Sequence, residues 1–296
     1  MTLGPIMGAG CLAGMMPLSA LGIITATLAR ISVGDFLLTI IGPALLMAII
    51  YALYIVIRAR LQPELAPSYF VEKVPLGQRI LLSIKYVLPL GLIIFSIVGL
   101  IVAGIGTPSE AAAVGALVCF MLAFVYGGFK PLIIKEATLH SLRVVVMMFV
   151  ILSGASGFSE LLAYTGATTN LVEMVSRFHL SPIGILIVMQ IILILLGTYL
   201  ESLAIMMITI PIYMPIARNL GFDPYWFCAI FLINMELATI SPPYGLVLFT
   251  MKGVAPGYSM TDIFKASIPF NILDTIALIL VMIFPQIALF IPHALK

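Results

Sequence analysis

The chain has 296 residues, 62% of them hydrophobic and 9% charged, with a net charge of +2 and a mean hydropathy of +1.24. A soluble domain carries about 25% charged residues, so a water-soluble globular protein is excluded. The few basic residues sit in short gaps between apolar runs, which excludes a nucleic-acid binder and points to a membrane-embedded chain.

In chain order, residues 1–31 are apolar but interrupted by Gly14 and Pro17, and residues 36–57 form a clean span ending at Arg58 and Arg60. Residues 58–79 are polar, carry Pro63, Pro67 and Pro75, and read as a surface linker. Residues 80–105 span again. Gly106-Thr107-Pro108-Ser109-Glu110 then breaks the chain before the span 111–126, with Glu110 read as a helix N-terminal cap. A loop with Lys130 and Lys135 leads to a span at 141–163. Residues 166–180 read as a polar-faced helix or loop. Residues 182–217 are apolar with a polar interruption at 197–202, residues 224–252 carry a double proline, and residues 262–292 finish the chain. Each unbroken span reaches the roughly 20 residues needed to cross a bilayer. Tyr225 and Trp226, just after Pro224, read as interfacial anchors. Cys11, Cys119 and Cys228 read as small hydrophobes, and His140, His179 and His293 have no metal-ligand spacing.

Basic residues set the orientation. Arg58, Arg60, Lys73 and Arg79 share one gap, and Lys130, Lys135 and Arg143 share the next but one, so both gaps can face the cytoplasm. Lys252 and Lys265 join them only if 182–217 turns back on itself. The expectation is a re-entrant hairpin with its tip near Gly197-Thr198-Tyr199-Leu200-Glu201-Ser202. Glu201 supports it: a carboxylate at bilayer depth costs about 2.5–3.5 kcal/mol and needs a cavity, a cation or a hydrogen-bond partner. A protonated or interfacial Glu201 that serves packing is the alternative. Thr198 and Ser202 add hydroxyl oxygens, and oxygen-only chemistry suits Na⁺ or H⁺ rather than a transition metal.

The run Asn234-Met235-Glu236-Leu237-Ala238-Thr239-Ile240-Ser241-Pro242-Pro243-Tyr244-Gly245 is the most informative. Two prolines remove two backbone donors and stop a helix. Irregular backbone at bilayer depth is tolerated only where protein or a water-filled cavity surrounds it, and transporters place ions and anions at such breaks. Gly14-Met15-Met16-Pro17-Leu18-Ser19 repeats the arrangement near the other end. Two broken helices of opposite predicted direction fit an inverted repeat.

The run Gly197 to Pro211, then Gly221-Phe222-Asp223-Pro224, then the double-proline run, together with Gly106-Thr107-Pro108-Ser109-Glu110-Ala111-Ala112-Ala113-Val114-Gly115, resembles the large membrane subunit of TRAP transporters, within the ion transporter superfamily. The resemblance covers essentially the whole chain. It implies an all-α polytopic membrane protein with a re-entrant hairpin, two discontinuous helices and an inverted-repeat, elevator-type architecture. It divides the chain into a remainder of the first repeat (1–57), a cytoplasmic linker (58–79) and a second repeat (80–296).

The function implied is Na⁺-coupled import of small organic anions, C4-dicarboxylates or sialic acids among them, across the bacterial inner membrane. A small membrane subunit and a periplasmic substrate-binding protein would be the partners, and no organic cofactor is needed. Positions matching Gly197, Thr198, Glu201 and Ser202 would form the hairpin tip. Those matching Thr239, Ser241, Pro242, Pro243 and Gly245 would form the second break, and Gly14, Pro17 and Ser19 its symmetry mate, with Thr198 and Ser241 among the Na⁺ ligands. The family subunit is longer, and its first part, with another hairpin, has no counterpart here. Met15-Met16-Pro17-Leu18-Ser19 and Glu201 depart from the family's more usual Ile-Pro-Pro-Ser-like run and Asp. A structural subunit without transport of its own and an intramembrane enzyme are the alternatives, although no Gly-x-Ser-x-Gly or His-Glu-x-x-His run is present.

Overall fold

The computed structural model describes residues 2–16, 19–62, 64, 75–126, 130–167, 170, 173 and 181–294. Among them every regular element is a helix: α1 Leu3–Gly14, α2 Ala20–Leu28, α3 Val33–Thr39, α4 Ile41–Leu61, α5 Leu76–Tyr86, α6 Leu88–Val102, α7 Pro108–Val125, α8 Pro131–Tyr164, α9 Pro182–Gly197, α10 Ser202–Asn219, α11 Pro224–Ile240, α12 Leu246–Val254, α13 Met260–Ile283 and α14 Gln286–Ala294. Among the described residues, five stretches are long and apolar enough to cross a membrane, and a sixth is the α5–α6 pair, bent by 46°. The chain is an all-α polytopic membrane protein.

Most helix starts follow capping chemistry. The side chains of Ser19, Ser32, Thr107, Ser181, Asp223 and Ser259 each accept from the first turn that follows, satisfying backbone donors that have no partner within the helix. Thr107 and Glu110 form a reciprocal capping box, as expected of Glu110. Proline follows the cap at α7, α9 and α11, where its missing N–H costs nothing.

The chain divides into two compact units, residues 67–150 and the remainder, 1–66 with 151–296. In the first, α6 and α7 pack along each other, with Gly115 against the Ile97 side chain. Tyr126 Oη donates to Lys85 O at 2.7 Å. Helix α8 begins at Pro131, so Lys135 lies within a helix rather than in the expected loop. Hydropathy marks the apolar stretch that begins at 141, and the helix extends ten residues beyond it toward the N-terminus. The expected single span 80–105 is kinked at Val87, where α6 starts with a proline in its first turn.

The second unit is organised around α11. Nearly all its residues are buried, as a helix that is apolar all round requires. Helices α1, α2, α3, α9, α10, α12, α13 and α14 all pack against it. Trp226 belongs to this core: it is buried, and its indole N–H donates to Val281 O at 2.7 Å. It is therefore not an interfacial anchor, because its polar edge is used on α13 instead of at a membrane surface. Tyr225 is only part-buried, its hydroxyl 3.3 Å from Asp35 Oδ2.

Helices α9 and α10 form a hairpin. Tyr213 Oη donates to Met189 O at 3.5 Å, and these residues stand equally far on either side of Glu201, so the arms run antiparallel about the predicted tip. The 224–252 segment is broken as expected, with α11 and α12 on either side. Of the first break, Met15, Met16 and Ser19 are described, and Pro17 lies outside the described residues. Half of the 58–79 linker, including residues 65–74, and most of 166–180 also lie outside them.

The cap at Asp223, whose Oδ1 accepts from Tyr225 N at 2.8 Å and Trp226 N at 3.0 Å, starts the central helix. Asp223→Ala is expected to cost about 1 kcal/mol and to lower the unfolding midpoint by about 2–4 °C. Thermal unfolding in detergent checks this; an unchanged midpoint would contradict the role of the cap.

Candidate functional site

The site begins with a backbone shortage. In a helix, the carbonyls of Leu237, Ala238, Thr239 and Ile240 would accept from residues 241 to 244. Pro242 and Pro243 have no N–H, so Ala238 O and Thr239 O lose their donors outright. The peptide between the two prolines is cis. Each orphaned carbonyl but one finds another donor. Ala238 O takes the N–H of Ser241 at 3.3 Å. Leu237 O takes the Ser241 hydroxyl at 2.8 Å, and Ile240 O takes the Asn271 amide of α13 at 3.0 Å. Among the described residues, nothing donates a hydrogen bond to Thr239 O. It faces Gly245, where a Cβ would lie 2.5 Å from it, so only glycine lets the chain pass this close.

One turn earlier, other elements meet the same helix. Ser202, the first residue of α10, donates its hydroxyl to Met235 O at 3.1 Å. Thr239 Oγ1 donates to Glu236 O at 2.7 Å and lies 3.2 Å from Cys11 Sγ of α1. Gly197 ends α9 against Ala238: a Cβ on Gly197 would be 2.6 Å from that of Ala238. Tyr199 and Tyr244 bring their ring centroids within 6.3 Å. The hairpin tip and the second break are thus side by side.

The remaining predicted residues fall around this junction. Thr198 sits at the tip, its hydroxyl donating to Leu195 O at 2.7 Å. Glu201 is exposed and caps α10, accepting from Leu203 N at 3.0 Å. Ser241 is buried, and its hydroxyl also lies 3.1 Å from Asn271 Oδ1. Pro242 is half-buried and Pro243 exposed. On the first broken helix, Gly14 ends α1 directly against the Glu236 carboxylate. Ser19 is buried and caps α2 through Gly22 N at 2.9 Å, and α2 packs on α10 and α11.

Sequence reasoning missed several polar residues here. Asn234 of α11 donates to both Gln190 O and Gln190 Oε1 of α9 at 3.0 Å, which locks the hairpin's first arm to the broken helix. Asn271, Asp274 and Tyr51 have no role in the sequence reading, Cys11 has only that of a small hydrophobe although its Sγ lies 3.2 Å from Thr239 Oγ1, and Asn234 and Glu236 stand in their run without one. The signal available was polarity inside an apolar span, visible for Asn234, Glu236, Asn271 and Asp274.

A polytopic helical protein whose core is an interrupted helix packed against a hairpin tip is built as ion-coupled membrane transporters are. Residues 3–287 match the family described as Tripartite ATP-independent periplasmic transporter, DctM component, and the chain belongs to that family. It is similar to the C4-dicarboxylate TRAP transporter large permease protein DctM of Pseudomonas aeruginosa, 31% identical over 98% of this chain and 67% of that protein. The Ectoine TRAP transporter large permease protein TeaC of Halomonas elongata is 26% identical over the same shares. The Sialic acid TRAP transporter large permease protein SiaM of Vibrio cholerae is 30% identical over 67% of this chain and 46% of its own length. These relatives are named as transporter permeases, and the intramembrane-enzyme alternative falls with that.

Asn271 supplies the donor for Ile240 O, so Asn271→Leu keeps the volume and removes the partner. A buried carbonyl left without a donor costs about 1–3 kcal/mol. The variant is expected to unfold at a clearly lower temperature than the parent in detergent; equal midpoints would show that the break does not rely on α13.

Proposed function

We propose that the chain serves as the large permease subunit of a TRAP transporter of the bacterial inner membrane that imports small organic anions together with Na⁺. A periplasmic binding protein delivers the substrate, and a small membrane subunit completes the assembly. The observation that carries this reading is the unsatisfied Thr239 carbonyl in a proline-made break beside the hairpin tip. A hard monovalent cation takes oxygen ligands. Thr239 O, the hydroxyls of Ser241 and Thr198, each with an unused lone pair, and neighbouring carbonyls supply such a set.

The anion goes to the other pole of the same break. Half-helix N-termini present free N–H groups and positive dipole ends to a carboxylate. Helix α10 already has its N-terminus occupied by Glu201, whereas α12 starts at Gly245 with no side-chain cap. The substrate carboxylate is therefore assigned to the start of α12. A carboxylic acid is also what the names of the dicarboxylate and sialic acid relatives denote. The two broken helices, one at Gly14–Ser19 and one at Ser241–Gly245, serve as matching halves of an inverted repeat that moves as an elevator.

Two outcomes follow for the completed assembly reconstituted in vesicles. Uptake of the transported anion should collapse when choline replaces Na⁺ at fixed pH, and unchanged uptake would overturn the coupling. Replacing Pro242 and Pro243 with Ala restores two backbone donors and removes about 3 kcal/mol of helix penalty per position. Helix α11 then closes over Ala238 O and Thr239 O. The variant should insert and assemble yet lose accumulation; retained uptake at the parent's Na⁺ affinity would remove the cation from this break.

A further inference from the structure

Three helices of the second unit meet around a small basic cavity that takes no part in the reading above. Gly4 and Pro5 of α1, Tyr54 and Arg58 of α4, and Lys265 and Phe270 of α13 are among its walls, and it encloses about 140 Å³. A Cβ on Gly4 would lie 2.7 Å from the Phe270 ring and 2.8 Å from Ala266 O, so glycine is what brings α1 this close to α13. Tyr54 stands edge-on to Phe270, ring centroids 5.6 Å apart, and Arg58 Nη1 donates to Tyr54 Oη at 2.7 Å. The guanidinium is thereby held where α4 meets α13, on a half-buried side chain. A second cavity of about 260 Å³ shares Tyr54 and Arg58 and continues along Ile57 and Leu61, both of them exposed.

Two cations face the smaller cavity without a counter-charge. Among the described residues, no Asp or Glu lies within ion-pair distance of Arg58 or Lys265. Asp262, one turn before Lys265, acts on it only through space, because its carboxylate is taken up by the Ser259 hydroxyl at 2.6 Å in the cap of α13. Arginine does not deprotonate in proteins and has five donors, of which Tyr54 takes one; lysine adds three more. An anion with several oxygens meets that need, and phosphate matches the guanidinium fork. The place of the cavity narrows the choice. Arg58 stands near the end of the membrane-crossing stretch Val33–Leu61 and Lys265 near the start of Met260–Ile283, which is the level of lipid headgroups. Basic pockets between transmembrane helices take acidic headgroups at that level. The apolar cavity that opens on the other side of Arg58 suits a hydrocarbon chain and has no use for a soluble anion.

We propose that this cavity binds the phosphodiester of an anionic phospholipid, with Arg58 and Lys265 on its oxygens and an acyl chain laid along Ile57 and Leu61. Charge complementarity requires a lipid with net negative charge, since the ammonium of a zwitterionic headgroup would bring a third cation to the site. The bound lipid joins α4 to α13, both of which also pack on α1. The site is separate from the oxygens at Thr239, Ser241 and Thr198. It does not depend on the transport reading, because lipid binding is measurable on the purified chain.

The test counts lipid retained by the full chain in mixed micelles, by native mass spectrometry, with phosphatidylglycerol, phosphatidylcholine and inorganic phosphate as probes. The parent is expected to retain phosphatidylglycerol saturably and to unfold at a higher temperature in its presence. Phosphatidylcholine at the same mole fraction, and phosphate at the same concentration, should do neither. R58Q/K265Q is expected to weaken retention by about tenfold or more. K265E should weaken it as well, and it alters only an exposed side chain, so the fold is not at stake. K130Q/K135Q removes the same charge from another basic segment and should leave retention unchanged. Unchanged retention in K265E would overturn the proposal. So would equal retention of phosphatidylcholine, or equal losses in the two double variants, since either shows only a general attraction to the micelle. Phosphate that stabilises as well as phosphatidylglycerol would overturn the lipid in favour of a free anion.

Discussion

The constraint on which the second unit depends is the missing pair of backbone donors at Pro242 and Pro243. A helix that ends inside an apolar core must satisfy its last carbonyls from elsewhere. Ser241 supplies two of the donors, its N–H and its hydroxyl, from within the break. Asn271 brings α13 to Ile240 O, Ser202 brings the hairpin to Met235 O, and Cys11 brings α1 to the neighbourhood of Glu236 O and Thr239. Three separate elements, α13, the hairpin and α1, thus meet around the end of α11. Thr239 O is the one of these last carbonyls left without a donor among the described residues.

The same junction is held by shape as well as by polarity. Gly197 lets the end of α9 rest on Ala238, Gly245 lets the chain turn past Thr239 O, and Gly14 leaves room for the Glu236 carboxylate. The Asn234–Gln190 bonds fix the register of the hairpin against α11 midway along both helices. A slipped register would lose both bonds donated by Asn234 Nδ2, although Asn234 Oδ1 and Gln190 Nε2 have no hydrogen-bond partner among the described residues even in this one. The tip at 198–201 is freer: Tyr199 and Glu201 are exposed, and their bonds are local.

Much of this was legible in the sequence. The double proline, the polar interruption at 197–202 and Glu110 ahead of an apolar run are local signals, and the break, the hairpin tip and the cap of α7 followed from them; the caps at Ser19, Ser32, Ser181, Asp223 and Ser259 were equally local but were not read. What stayed hidden depends on pairing between distant residues. Asp274 is an acid deep within an apolar run, but nothing local says that it meets Tyr51, 223 residues away. Glu236 stood inside the most informative run, yet period and hydropathy give its depth and not the face it presents. Trp226 misled for the same reason: a tryptophan near a span end is ordinarily interfacial, and only the packing of α11 on α13 turns it inward. The start of α8 was missed because hydropathy reports where the apolar stretch begins, while the helix runs on through Lys135, Glu136 and His140.

The central claim is that the freed oxygens beside the double proline bind Na⁺ and that the surrounding fold is stabilised when they do. A ligand that binds only the folded state raises stability by RT ln(1 + [L]/Kd), about 2.7 kcal/mol at a hundredfold excess over Kd. The most direct measurement is the unfolding midpoint of the purified chain titrated with NaCl against choline chloride at constant ionic strength. The account predicts a saturable rise with Na⁺ that choline does not reproduce. Identical midpoints in the two salts across the titration would contradict it.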